Sequence, residues 1–314
     1  MGISRRTALR VLAGAAGSAV AAAIAPPSCA ASSSPPSANA DGNAGMLYDA
    51  TRCIGCKACM VACNEANDLT PDTGTSGEQW QMPLDLNEHT KNIIKLYNAP
   101  NGKDYSFVKR QCMHCVDPAC AAACMLGALK KREHGIVTYD AELCVGCRYC
   151  EMACPFNIPK YQWSSLAGKI VKCELCKHRI ADGRQPACTE VCPTHAVLYG
   201  TRGDLLAEAH RRIDEQPTRY KDHVYGEKEV GGTQVLYLAG TGVDFDKLGL
   251  PAYGDEPVPS TVRAVEHAIY QGFATPVVLY AALAGVVWRN RKRGAQLEGD
   301  DEAATGDETK EGRS

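Results

Sequence analysis

The chain has 314 residues, a formal net charge of −2 and 45% hydrophobic residues, which permits one large domain or two small ones. The near-neutral charge removes the main reason to expect a nucleic-acid partner. With four Phe and three Trp the core must be built from small aliphatics or filled by something else. Seventeen Cys is a count that demands chemistry: a disulfide framework, zinc sites or clusters.

The N-terminus carries Arg5-Arg6 ahead of an apolar run from Val11 to Ala25, the pattern of a twin-arginine (Tat) export signal. Ala8 stands where that motif usually has Phe, and the competing reading is an ordinary secretory signal with a basic start. A cargo that must take up a cofactor before export would favour Tat, which moves folded proteins. Residues 1–40 are read as signal and linker, with cleavage after Ala30 or Ala40. Cys29 falls in this stretch and is read as lost with it; Pro26 and Pro27 spoil a lipoprotein reading.

Four cysteine motifs follow. They are Cys53-x2-Cys56-x2-Cys59-x3-Cys63, Cys112-x2-Cys115-x4-Cys120-x3-Cys124, Cys144-x2-Cys147-x2-Cys150-x3-Cys154-Pro155 and Cys173-x2-Cys176-x11-Cys188-x3-Cys192-Pro193. Gly135–Tyr139 reads as a strand entering the third motif, and Gln234–Leu238 as a late strand. The glycines of Ala239-Gly240-Thr241-Gly242 read as a turn, since no G-x-G-x-x-G pattern opens a helix there, so no nucleotide is expected. Residues 246–264 read as a linker. Within residues 265–289, Ala268–Trp288 is a charge-free run of 21 residues, spanning roughly 30 Å as a helix, with Tyr270 and Trp288 near its ends. Arg289-Asn290-Arg291-Lys292-Arg293 then places that end in the cytoplasm and the preceding chain outside. From residue 290 a basic stop gives way to an acidic tail expected to be disordered.

The motifs are duplicated. Asp49-Ala50-x-x-Cys53-Ile54-Gly55-Cys56 matches Asp140-Ala141-x-x-Cys144-Val145-Gly146-Cys147, and Pro118-Ala119-Cys120 matches Pro186-Ala187-Cys188. Residues 49–129 and 140–197 therefore read as two copies of one two-cluster unit. Three cysteines at two-residue gaps wrap three corners of one iron–sulfur cube. The fourth opens a helix and points away, toward a second cube. Gly55 and Gly146 suit the tight loop, whose N–H groups can face the cluster sulfurs. Zinc usually takes two separated Cys-x2-Cys pairs, and cysteines three apart in one loop pair poorly as disulfides, so clusters are the expected content.

These residues resemble the four-cluster iron–sulfur subunits of membrane oxidoreductases, of the formate dehydrogenase beta and dimethyl sulfoxide reductase B type, and among them the hydrogenase electron-transfer subunits. The likeness is carried by Gly45–Asp49, Lys109–Pro118, Gly146–Cys150 and Tyr225–Leu236. It departs at Met125, where a Pro is common after the cysteine. The resemblance implies an α+β fold: a tandem duplicated bacterial 2[4Fe–4S] ferredoxin-like domain over 45–245 with one C-terminal transmembrane helix. It implies four [4Fe–4S] clusters, on Cys53, Cys56, Cys59 and Cys192; on Cys112, Cys115, Cys120 and Cys154; on Cys144, Cys147, Cys150 and Cys124; and on Cys173, Cys176, Cys188 and Cys63.

By resemblance the chain is an electron wire between the small and large subunits of a hydrogenase and a quinone-reacting membrane subunit, at the periplasmic face of the membrane. It shows no catalytic residues of its own. A molybdenum or tungsten formate dehydrogenase is the second partner class, disfavoured by Arg5-Arg6. A structural or sensing module without turnover is the reading from another class. His267 reads as an interfacial polar residue, and Lys130-Lys131-Arg132 and Lys172 read as solvated surface.

Overall fold

The computed structural model describes residues 40–71, 83–99, 104–165, 168–259 and 277–289. Arg5, Arg6, Cys29, His267 and the acidic tail lie outside them. One compact unit runs through Pro257 and a second begins at Val258.

The organising strand is β1 (Ala44–Asp49). Leu47 on it packs against Leu205, Ala209 and Ile213, all buried. Those three residues lie four apart, so they form one face of a helix, α6 (Arg202–Glu215). Thr201 caps that helix, its hydroxyl accepting from the N–H of Asp204 at 3.2 Å. On its two sides β1 pairs antiparallel with β8 (Val197–Thr201) and parallel with β9 (Val235–Leu238). Three hairpins complete the strands: β2 (Asn92–Asn98) with β3 (Tyr105–Gln111), β4 (Leu129–Lys131) with β5 (Val137–Tyr139), and β6 (Lys160–Tyr161) with β7 (Ile170–Val171). The mixture of small sheets and short helices is the expected α+β class. β5 and β9 fall where the two strands were expected.

A buried carboxylate fastens α6 to the sheet. Asp49 Oδ2 accepts from Arg212 Nη1 at 2.8 Å and from the Tyr220 hydroxyl at 2.9 Å. Its other oxygen accepts from the N–H and hydroxyl of Thr51 at 2.9 and 2.7 Å. Every lone-pair direction of the anion is occupied, which is what makes its burial tolerable.

Four short helices carry cysteines, α1 (Ala58–Ala66), α2 (Ala119–Ala122), α3 (Tyr149–Ala153) and α5 (Ala187–Glu190), and a fifth, α4 (Lys177–Ala181), starts just after Cys176. One sequence expectation changes here. The helices of the first and third motifs begin one residue before the third cysteine, not at the fourth, so Cys59 and Cys150 lie inside α1 and α3. Lys57 and Arg148 take φ of 60° and 63° to turn the loop into each helix. Beyond the cysteines, α3 stops at Ala153 because Cys154 precedes a proline and is forced extended, whereas Asn64 lets α1 run on to Ala66.

Spatial neighbours run across the sequence copies 49–129 and 140–197. α1 of the first motif packs on α5 of the fourth, and β1 pairs with β8, which follows the fourth. The second and third motifs pair through α2 against α3 and β4 against β5. The chain thus nests a contiguous inner pair inside a discontinuous outer pair.

Residues 246–257 are not a free linker. Leu248 and Leu250 are buried, and the carbonyls of Pro251 and Gly254 accept from the Tyr225 hydroxyl at 2.7 Å and the Val230 N–H at 2.8 Å. In the second unit, 277–289 is helical and exposed. Among the described residues no helix is long and apolar enough to cross a membrane. The span expected over 265–289 begins in residues outside the described set.

Candidate iron–sulfur centres

The glycines of the first and third motifs adopt the left-handed conformation that the tight loop needs, with φ of +67° at Gly55 and +74° at Gly146. A Cβ on Gly55 would stand 2.3 Å from the Phe107 ring, so the hairpin β2–β3 closes directly over this loop. The equivalent places in the second and fourth motifs hold His114 and Leu175, also left-handed, at φ 49° and 53°. Both are buried, so packing fixes there what glycine's freedom permits in the other two.

The loops and helices gather the sixteen cysteines into four groups. Cys53, Cys56, Cys59 and Cys192 line one cavity with Tyr48 and Ile94. Cys63, Cys173, Cys176 and Cys188 line another with Gln111 and Asn67. Cys124, Cys144, Cys147 and Cys150 line a third with Leu126, Leu129, Leu143, Val145 and Arg148. Around Cys115 the nearest thiols are Cys154, Cys112 and Cys120; burial first, then these three, holds its thiol well above the ordinary range. The groups follow one another. Cys59 lies within electrostatic reach of Cys188, Cys173 of Cys112, and Cys120 of Cys150. The order is therefore the first set, the fourth-motif set, the second-motif set and the third-motif set. Each end set has one exposed cysteine, Cys56 and Cys147; the two inner sets have none.

This donor arrangement fits [4Fe–4S] groups and does not fit single ions. All sixteen cysteines are free thiols, so no disulfide consumes them. Among the described residues no three His, Cys, Asp or Glu side chains converge closely enough for one metal ion. The thiols gather in fours instead, three of the groups round a cavity, as a cube with an iron at each corner requires. Hydrogen bonds to sulfur are already in place. The N–H of Leu175 donates to Cys173 Sγ at 3.3 Å and Asn67 Nδ2 to Cys63 Sγ at 3.6 Å. Backbone N–H groups of Gly55 and of Phe156 and Ile158 reach Cys53 and Cys154. Burial pushes the free thiols up, Cys59 to about 12, Cys63 to about 11, and Cys120 and Cys150 to about 12. Iron must displace those protons, so loading releases acid.

Sequence reasoning missed several cations at these centres. Lys172, expected on the surface, is buried: its ammonium donates to the carbonyls of Val137 at 2.5 Å and Cys173 at 3.0 Å. Lys131, expected there too, reaches inward to the Cys115 and His114 carbonyls at 2.7 and 3.3 Å, while Lys130 and Arg132 stay exposed. Lys109, quoted only as the start of the Lys109–Pro118 segment, is wholly buried. For Lys172 the available signal was position, since it directly precedes Cys173.

Residues 103–202 match the 4Fe-4S dicluster domain family. The chain is 41% identical over 294 residues to the hydrogenase-2 operon protein HybA of Escherichia coli O157:H7, covering 83% of this chain and 88% of HybA. It is 35% identical over 266 residues to the nitrate-inducible formate dehydrogenase iron-sulfur subunit of Escherichia coli K12, covering 82% and 87%. A protein of Nitratidesulfovibrio vulgaris is 44% identical over 214 residues, with 66% and 56% covered. With the cysteine geometry, these likenesses make [4Fe–4S] clusters the cofactors of this chain. It belongs to the family of 4Fe–4S iron–sulfur proteins that includes HybA and the formate dehydrogenase iron–sulfur subunits.

Proposed function

We propose that the chain is the electron-transfer subunit of a periplasmic nickel–iron hydrogenase, carrying electrons through four [4Fe–4S] clusters to a quinone-reacting membrane subunit. The ligand sets are the four groups of cysteines described above. The observation that carries the reading is their row, with an exposed cysteine only at its two ends. Bound [4Fe–4S] groups supply one-electron steps. The chain's own residues hold them in sequence, keep water from the inner two, and turn N–H groups toward their sulfurs. The likeness to HybA supports the hydrogenase partner. Arg5-Arg6 and the apolar run ending at Trp288 support export by the Tat pathway and a single C-terminal anchor. The formate dehydrogenase reading rests on the 35% identity to such a subunit.

Elemental analysis of the complex that co-purifies with the chain, extracted without oxygen, decides between the partners. Nickel beside abundant iron is expected; molybdenum or tungsten without nickel transfers the chain to the formate dehydrogenase class. The ligand exchange has its own test. Cys192→Ser is expected to remove about a quarter of the iron, with the lost signal belonging to the cluster of Cys53, Cys56 and Cys59. Loss confined to a cluster made only of the fourth motif's cysteines would sink the assignment.

A further inference from the structure

Two ammonium groups lie inside the cysteine-lined core. Lys109, on β3, is 0% exposed, and Lys172, just after β7, is 3% exposed. A buried ammonium is costly unless anions surround it. Lys109 forms no ion pair with a carboxylate among the described residues; its ammonium donates to Gln111 Oε1, and Gln111 itself lines the cavity of Cys63, Cys173, Cys176 and Cys188. The groups that attract it are Cys188, Cys173 and Cys63 of that cavity and Cys59 of the neighbouring one. The Cys173 carbonyl accepts from the Lys172 ammonium at 3.0 Å, and the thiols that attract it are Cys112, Cys120 and Cys173. The nearby carboxylate, Glu174, is already engaged by Lys177 at 2.8 Å and Lys91 at 4.0 Å. Each ammonium therefore stands at a junction between two cysteine sets, and the set of Cys63, Cys173, Cys176 and Cys188 belongs to both junctions.

We propose that Lys109 and Lys172 are fixed cations that raise the reduction potentials of the clusters meeting at their junctions, most of all that of the shared one. The inference rests on the four-cluster reading above. A cube held by four thiolates is anionic and gains a further negative charge on reduction. A positive charge fixed nearby in a medium of low dielectric favours that added electron. Neither lysine touches the reacting irons; both act through the field. The duplicated chain uses the two positions differently. Lys172 directly precedes Cys173, whereas Gln111 precedes Cys112 and serves as the acceptor that holds Lys109.

The test is an anaerobic redox titration of the purified full complex, followed by electron paramagnetic resonance. Lys109→Met is expected to lower the equilibrium constant for reducing the first and shared clusters about tenfold, 59 mV for one electron. Lys172→Met is expected to lower the second-motif and shared clusters similarly. The shared cluster then moves in both variants, and the cluster of Cys124, Cys144, Cys147 and Cys150 in neither. Lys109→Arg, which keeps the charge, is expected to stay near the wild-type values. Unchanged potentials in iron-replete variants, or an equal shift of all four clusters, overturns the inference. So does loss of iron in both methionine variants, because the cations would then serve assembly and not potential. A wild-type complex without four titrating clusters would fail the four-cluster reading instead.

Discussion

Asp49→Ala is expected to cost about 3–5 kcal/mol of stability, the penalty for breaking a buried ion pair from one side. The carboxylate is fully buried, and the side chain of Arg212 is only 5% exposed. Removing the anion strands a guanidinium beneath α6 and takes an acceptor from the Tyr220 hydroxyl. Glu208, which accepts from Arg212 Nε at 2.7 Å, lies at the half-buried edge and compensates in part. The measurement is anaerobic denaturant unfolding of the iron-loaded chain. Asp49→Asn, which keeps an acceptor, is expected to fall between. The double replacement of Asp49 by Ala and Arg212 by Met is expected to recover part of the loss, since no charge is then left unpaired. A loss below about 1 kcal/mol for Asp49→Ala would mean that the pair does not fasten the helix.

Stripping the iron under anaerobic conditions is expected to open the inner pair of motifs while the sheet and α6 persist. Two packed clusters of side chains differ in what fills them. Leu47, Leu205, Ala209, Ile213, Tyr220, Val224, Leu236 and Leu238 form a core with no cysteine in it. The other consists of Cys120, Leu129, Val137, Cys150 and Ile170, with Cys124 and Cys144 against it. The strands flanking that second core are two or three residues long, too short to stand without something to pack on. Amide hydrogen exchange should accelerate on the order of a hundredfold in β4–β7, and far less in β1, β9 and α6. Equal acceleration in both regions would show one cooperative unit.

The sites were far more legible than the scaffold. A cube demands its ligands at fixed gaps, so the four motifs stand out whatever surrounds them, and duplication repeats the signal. The scaffold hides for the same reason that it is stable. β1 is buried along nearly its whole length, so Met46–Asp49 shows no alternation of polar and apolar residues to read. Asp49 looks like a turn residue until Arg212 arrives from 163 positions away. α6 was readable, since Thr201 with Asp204 and the spacing of Leu205, Ala209 and Ile213 form a helix start and face, but cysteines drew the reading elsewhere. Lys172 was misjudged because charge usually means surface; a core expecting anions reverses that rule.

The nesting of the motifs also sets a timetable for the chain as it leaves the ribosome. The inner cysteines can meet once residue 154 has emerged, but Cys53 waits for Cys192 and β1 waits for β9, at residues 235–238. Until then the outer half-sites are open thiols on an unfinished sheet, held only by contacts of long sequence separation that form slowly. Cofactor insertion into the outer pair therefore waits for residue 192, and the sheet that carries it for residue 238.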